Sequence, residues 1–243
     1  LPDQAILLDA GTGLFRLIQA MIDEPKESID ILLSHAHLDH VVGLTFLLDA
    51  LAVTKLKHVR IFGEQEKLDA VCTHLYNQLL FPVAPSMEFI PFPDRAGVMD
   101  LKHARLEWFP LDHPGGSVGF ILDANTGSQS PHANRTNAGG SRVAYITDTV
   151  AHADAPYLSK LTNIDLLMHE CYFGDDQEEF AITTGHSWLS AVTRVVEKTE
   201  PGQTLLIHIN PLAEILGNGF QLSPYQLNEL HMSLAEDESV IEI

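Results

Sequence analysis

SHAHLDH, residues 34–40, places three histidines and one aspartate within positions 35–40, directly after the apolar run IDILL. In an extended loop, residues two apart point the same way. His35 and His37 can therefore bind one ion together, while Asp39 and His40 turn toward a neighbouring position. Imidazole nitrogens with a carboxylate suit zinc, manganese or iron(II), and the lack of cysteine in the cluster argues against copper(I) or an iron–sulfur centre. One isolated histidine would read as an incidental loop residue. HxHxDH at the end of an apolar strand reads as a ligand set.

Outward from this motif, strand-like and helix-like segments alternate, which argues for an α/β fold. AILLDAG (5–11), IDILLSH (29–35), HVRIFG (58–63), RVAYITDT (142–149), NIDLLMHE (163–170) and QTLLIHINP (203–211) read as strands. ARLEWFPLDH (104–113) and SVGFILDA (117–124) read as two more, joined by a tight Gly-Gly turn. VVGLTFLLDAL (41–51), EQEKLDAVCTHLYNQLL (64–80) and SWLSAVTRVVEK (187–198) have helical spacing, with Ser187 a candidate cap for the last. Pro82, Pro85, Pro91 and Pro93 mark an irregular connection, and the polar, Gly/Asn/Ser-rich segment 125–141 reads as a mobile loop. Asp9, His35, His113, Asp148, Glu170 and His208 each fall at or just past the C-terminal end of an apolar strand. Loops at strand ends on one rim of a sheet can converge on a single site.

Composition narrows the function classes. With 243 residues, 45% of them hydrophobic, the chain can form one substantial core, and no composition shift divides it, so 1–243 reads as a single domain. The formal net charge is -19, with 33 acidic residues against 14 basic ones and no Lys/Arg run. Such a surface repels phosphate backbones and disfavours extended nucleic-acid binding, but it leaves room for a small substrate that reaches a metal. The two cysteines, Cys72 and Cys171, form neither a zinc-ribbon spacing nor a disulfide framework, so a cytoplasmic setting is expected. No apolar run is long enough to span a bilayer, so no membrane association is expected. The chain starts with Leu, which leaves a preceding targeting segment open.

SHAHLDH resembles the signature of the metallo-β-lactamase fold, usually T-H-x-H-x-D-H, with Ser34 in place of Thr. LLDAGTG (7–13), LDHPGGSVGF (111–120), YITDT (145–149) and LIHINP (206–211) resemble that family's other motifs, in order along nearly the whole chain. The resemblance implies an αββα sandwich and a site for two divalent ions, zinc first, manganese or iron as alternatives. It assigns His35, His37 and His113 to one ion, Asp39, His40 and His208 to the other, and Asp148 as the bridge. Two such ions, roughly 3.5–4 Å apart, can activate a nucleophile and clamp a phosphoryl group. Asp9 reads equally as an orienting partner of a ligand histidine or as a turn-forming residue.

DLLMHECYF (165–173) and GHSWLSAV (185–192) resemble the H-E-A-T and H-S-T segments of tRNase Z and related phosphodiesterases, with Trp188 in place of the second Thr. Carried over, Glu170 and His186 act beside the metals, with Asp39 orienting the nucleophile as well as binding metal. The other reading of His186 is an N-terminal residue of the following helix. His169 is expected to fill the strand end and bond to backbone, and His58, His74, His103, His132, His152 and His231 to be surface or structural residues. Three features depart from the branch. The family's first strands do not precede the Asp-Gly turn, the basic arm that grips tRNA is not visible, and a cysteine zinc site has no counterpart. The expectation is therefore a phosphodiesterase for a small or cyclic diester. The alternatives are a tRNA 3′-end endonuclease, a carbon-ester or lactone hydrolase, and a non-catalytic metal-binding domain. A homodimer is implied by the resemblance alone.

Overall fold

The computed structural model describes residues 4–124, 140–213 and 220–243. Of the loop read at 125–141, residues 125–139, His132 among them, lie outside the described residues. The chain divides into two compact units, Leu1–Arg95 and Ala96–Ile243, each with its own sheet and core.

The first unit runs β1 (Gln4–Leu8), α1 (Leu14–Asp23), β2 (Ser28–Leu32), α2 (Leu38–Val41), a 3-10 segment (Val42–Phe46), α3 (Leu47–Val53), β3 (His58–Gly63), α4 (Gln65–Ala70) and β4 (Glu88–Pro91). Its four strands pair in the order β1-β2-β3-β4, all parallel. Parallel strands connected by helices become buried and read as continuous apolar runs, as β2 does over Ile29–Leu32. α1 turns Leu14, Ile18 and Met21 inward at helical spacing, onto a core of Ile29, Ile31, Leu44, Leu47 and Ile61.

One charge interrupts this run. Asp30 is fully buried on β2, and its register partner on β3 is Arg60. The guanidinium grips the carboxylate with two bonds, Nε to Oδ1 at 2.7 Å and an Nη to Oδ2 at 2.6 Å. The fork matches the carboxylate geometry, which a lysine would not do. The pairing raises the Arg60 pKa above its usual value.

The second unit runs β5 (Gly97–Asp100), β6 (Ala104–Leu111), β7 (Ser117–Ala124), β8 (Arg142–Ile146), β9 (Leu166–Glu170), α5 (Glu178–Thr184), α6 (Leu189–Thr199), β10 (Gln203–Ile207), α7 (Pro224–Asn228) and β11 (Met232–Leu234). The sheet order is β11-β10-β9-β8-β7-β6-β5. β5 to β8 pair antiparallel, and β8 to β11 pair parallel. α6 contributes Ala191, Val192, Val195 and Val196 to a core with Phe109, Ile121, Ile146, Leu167 and Leu206.

Several elements differ from their sequence reading. The helix expected over 41–51 is broken into α2, a 3-10 segment and α3. At the break, a Cβ on Gly43 would lie 2.1 Å from the Gly11 carbonyl oxygen, so only glycine allows the chain to pass there. The helix expected over 64–80 is α-helical only to Ala70 and widens into a π turn over Val71–Leu75. The proline-rich connection contains β4, an edge strand whose last residue is Pro91, where a proline breaks no ladder interior. Among the described residues, no helix is long and apolar enough to cross a membrane.

Removing the cation while leaving the buried carboxylate should be costly. Arg60→Leu is expected to lower stability by about 2–4 kcal/mol, and Asp30→Leu with Arg60→Leu should recover most of the loss. Urea midpoints of the single and double variants test this.

Candidate metal-ligand clusters

In the first unit, the strand-end loop after β2 and the start of α2 carry the motif. The His35 and His37 rings lie 4.5 Å apart and nearly perpendicular, and the His35 and His40 rings lie 4.2 Å apart. The structure thus brings the His37 and His40 rings against His35. Asp9 organises the group. Its carboxylate accepts the Ser34 backbone N–H at 2.7 Å and the Ser34 hydroxyl at 2.7 Å. That hydroxyl, having donated its proton, accepts from His35 Nδ1 at 2.9 Å. The same carboxylate accepts from His40 Nδ1 at 2.9 Å. Both histidines are thus held in the tautomer with the proton on Nδ1, so Nε2 carries the lone pair. Ser34, standing where Thr is usual, keeps the hydroxyl this relay requires. Asp9 thus orients His40 directly and His35 through Ser34, and it also makes a turn with φ of 59°. Asp39 is largely exposed, its Oδ2 lying 3.6 Å from His40 Nε2.

In the second unit, Asp148 is buried two residues past β8 and lies between two histidines. His113 Nε2 is 3.7 Å from its Oδ2, and His208 Nε2 is 3.6 Å from its Oδ1. These gaps are too long for hydrogen bonds. They match two ligands each about 2 Å from a shared ion. Each carboxylate oxygen therefore faces its own imidazole Nε2. Ser117 holds the Asp148 carbonyl at 2.8 Å, and the Thr147 hydroxyl donates to Oδ1 at 2.7 Å. His113 Nδ1 donates to the Gly185 carbonyl at 2.8 Å, which again leaves Nε2 as the lone-pair nitrogen. Gly185 has φ of 79°, and a Cβ there would meet Pro114 at 2.1 Å, so glycine is required where the chain passes His113.

Asp148, His186 and His208 each offer a ligand atom, all within 4.8 Å of one another. His186 precedes α6 and is not part of it. Its Nδ1 lies 3.3 Å from Glu170 Oε1. Glu170 is fully buried and also accepts the backbone N–H groups of Thr149 at 2.9 Å, Ser187 at 3.1 Å and Tyr172 at 3.1 Å. It can hold a neighbour in place but does not face solvent. Ser187 does not cap α6. The N-cap is Trp188, and the Ser187 hydroxyl instead donates to the Thr149 carbonyl at 2.6 Å and accepts from Ala151 N–H at 3.0 Å. His169 is fully buried, its Nδ1 bonded to the Glu170 carbonyl at 2.7 Å, as expected. Burial pushes its pKa below the usual histidine value.

Sequence reasoning passed over Tyr172. Its ring stacks on His186 with centroids 4.5 Å apart and planes 20° from parallel, and it lies 5.3 Å from His208. An aromatic residue just after a strand end gives no sign of this; it reads as core.

Residues 4–209 match the family model for the beta-lactamase superfamily domain. The chain belongs to that family and has the two-sheet α/β architecture of the metallo-β-lactamase fold, which defines it as a metal-dependent hydrolase. Its relatives include a Ribonuclease Z of Prochlorococcus marinus subsp. pastoris, 24% identical over 249 residues, covering 84% of this chain and 78% of the relative. Among solved structures, the short form of human tRNase Z is similar with a TM-score of 0.69 and 20% identity, covering 98% of this chain and 88% of that one. A diphosphatase of the PhnP family is similar with a TM-score of 0.63 and 18% identity, covering 98% and 79%. The buried imidazole and carboxylate donors, with Nε2 lone pairs set by fixed Nδ1 partners, fit the divalent metals this family implies.

Two outcomes are expected. Asp9→Ala removes the acceptor for Ser34 and His40, and should weaken metal binding about 10–100-fold in a chelator competition. His169 is held neutral by burial, so its contribution to stability is complete above the unfolded value near 6.5. That contribution is lost as pH falls from there toward the lower folded value, because the unfolded chain then binds more protons. His169→Gln should therefore show a smaller drop in urea midpoint than wild type between pH 7.5 and pH 5.5.

Proposed function

We propose that residues 1–243 act as one metallo-β-lactamase-fold domain that hydrolyses a small or cyclic phosphodiester with two divalent ions, zinc foremost. His35, His37 and His113 would hold one ion, Asp39, His40 and His208 the other, with Asp148 bridging. Such ions, when bound, supply a nucleophile at neutral pH and neutralise charge developing on phosphorus. The observation that carries this reading is Asp148, whose two carboxylate oxygens each face a separate imidazole Nε2 at 3.7 and 3.6 Å. Asp39, exposed beside His40, would orient the attacking water as well as bind metal. His186, steadied by Glu170, would give a proton to the departing alkoxide. The net charge of -19 without a Lys/Arg run favours a small substrate over an extended phosphate backbone.

A ribonuclease is the second reading. The relatives named Ribonuclease Z weigh against excluding RNA on the net charge of -19 alone, since bound metals reverse the local field. Cleavage of precursor tRNA with a steep salt dependence would favour it.

Hydrolysis of bis(p-nitrophenyl) phosphate tests the main reading. Metal-stripped protein should be inactive, zinc or manganese should restore activity, and reloaded Asp148→Ala should lose at least about a hundredfold. Two ions bound per chain without turnover of this diester would overturn the assignment.

A further inference from the structure

The His186 ring donates one hydrogen bond, from Nδ1 to Glu170 Oε1 at 3.3 Å. A single bond of this length restrains the ring only weakly, so small rotations about the Cβ–Cγ bond still swing its other nitrogen. The direction of its other nitrogen depends on what holds the face. Tyr172 covers it, with centroids 4.5 Å apart and planes 20° from parallel. The Phe173 ring meets His186 edge-on at 6.2 Å, and the His208 ring lies parallel to it at 5.7 Å.

Tyr172 is itself firmly placed. Its N–H donates to Glu170 Oε2 at 3.1 Å, and its carbonyl accepts from Asn210 N–H at 3.3 Å. The preceding residue, Cys171, donates its N–H to the Ile207 carbonyl at 3.0 Å. Residues 171–172 thus tie the end of β9 to the backbone on either side of His208. Glu170 holds the edge of His186 and, through its other oxygen, the backbone of the residue whose ring holds the face. One short segment thus supplies both the acceptor at the edge of the imidazole and the ring against its face.

We propose that Tyr172 is a positioning residue whose ring face sets the plane of His186, and with it the direction of the nitrogen that meets the leaving group. This inference rests on the proposed role of His186 for its kinetic consequence, but not for its geometric one. The ring, rather than the phenol hydroxyl, carries the function, so phenylalanine should substitute and leucine should not.

The test uses Tyr172→Phe, Tyr172→Leu and His186→Ala with two readouts. The first is the NMR shift of the His186 ring protons in metal-free protein, assigned by their loss in His186→Ala. Stacking on an aromatic face displaces these signals upfield, and the displacement should persist in Tyr172→Phe and collapse in Tyr172→Leu. The second is the rate on metal-loaded protein across methyl aryl phosphodiesters, from p-nitrophenyl to phenyl. Tyr172→Leu should keep its metal content and KM but lose about 10–100-fold in kcat on the phenyl ester, and far less on the p-nitrophenyl ester. Tyr172→Phe should follow wild type. Unchanged His186 shifts in Tyr172→Leu overturn the proposal, as does a Tyr172→Phe variant as impaired as Tyr172→Leu. If His186→Ala leaves the leaving-group dependence unaltered, the proton-donor reading of His186 falls. The positioning proposal is then decided by the NMR shifts alone.

Discussion

A metal ligand must present a lone pair, and imidazole presents one only when its proton is on the other nitrogen. In this chain that condition is met by placing a fixed acceptor against Nδ1. For His40 it is the Asp9 carboxylate, for His35 the Ser34 hydroxyl relayed to the same carboxylate, and for His113 the Gly185 carbonyl. Much of the nearby backbone follows from this need. Asp9 sits in a left-handed turn at the end of β1 so that its side chain can reach Ser34 and His40. Gly185 must be glycine, because the turn carrying its carbonyl passes Pro114 too closely for a side chain.

Both sheets serve as rigid supports for side chains just beyond their strand ends. β2 leads into His35, β6 into His113, β8 into Asp148, β9 ends on Glu170 and β10 leads into His208. A strand buried on both faces has few ways to shift, so the loop that leaves it begins from a fixed point. The Glu170 carboxylate shows how tightly this is done. It draws together the N–H groups of Thr149, Tyr172 and Ser187, three separate stretches of backbone, beside a fully buried His169.

The HxHxDH cluster was legible in the sequence because it concentrates three histidines and an aspartate in six positions after an apolar strand, and local spacing alone brings His35, His37 and His40 together. The strands carrying His113, Asp148, Glu170 and His208 were legible from their apolar runs. Their ends were overrun by up to four residues, since side-chain polarity does not record where ladder bonding stops. The short strands β4, β5 and β11 were missed, as three- and four-residue elements at sheet edges carry little periodic signal. The break in the 41–51 helix depends on the Gly11 backbone packed against Gly43, a contact no local pattern contains. Tyr172 was invisible for a related reason: a stacking role depends on a neighbour fourteen residues away, at 186.

Two residues of the clusters, Asp9 and His208, hold backbone φ angles of 59° and 51°, a region that side-chain-bearing residues enter at a cost. Glycine at either position would relax the main chain, but at position 9 it would also remove the carboxylate that Ser34 and His40 share. Backbone strain and side-chain bonding therefore oppose each other within one residue, and a stability change measured there is the small difference of two larger effects.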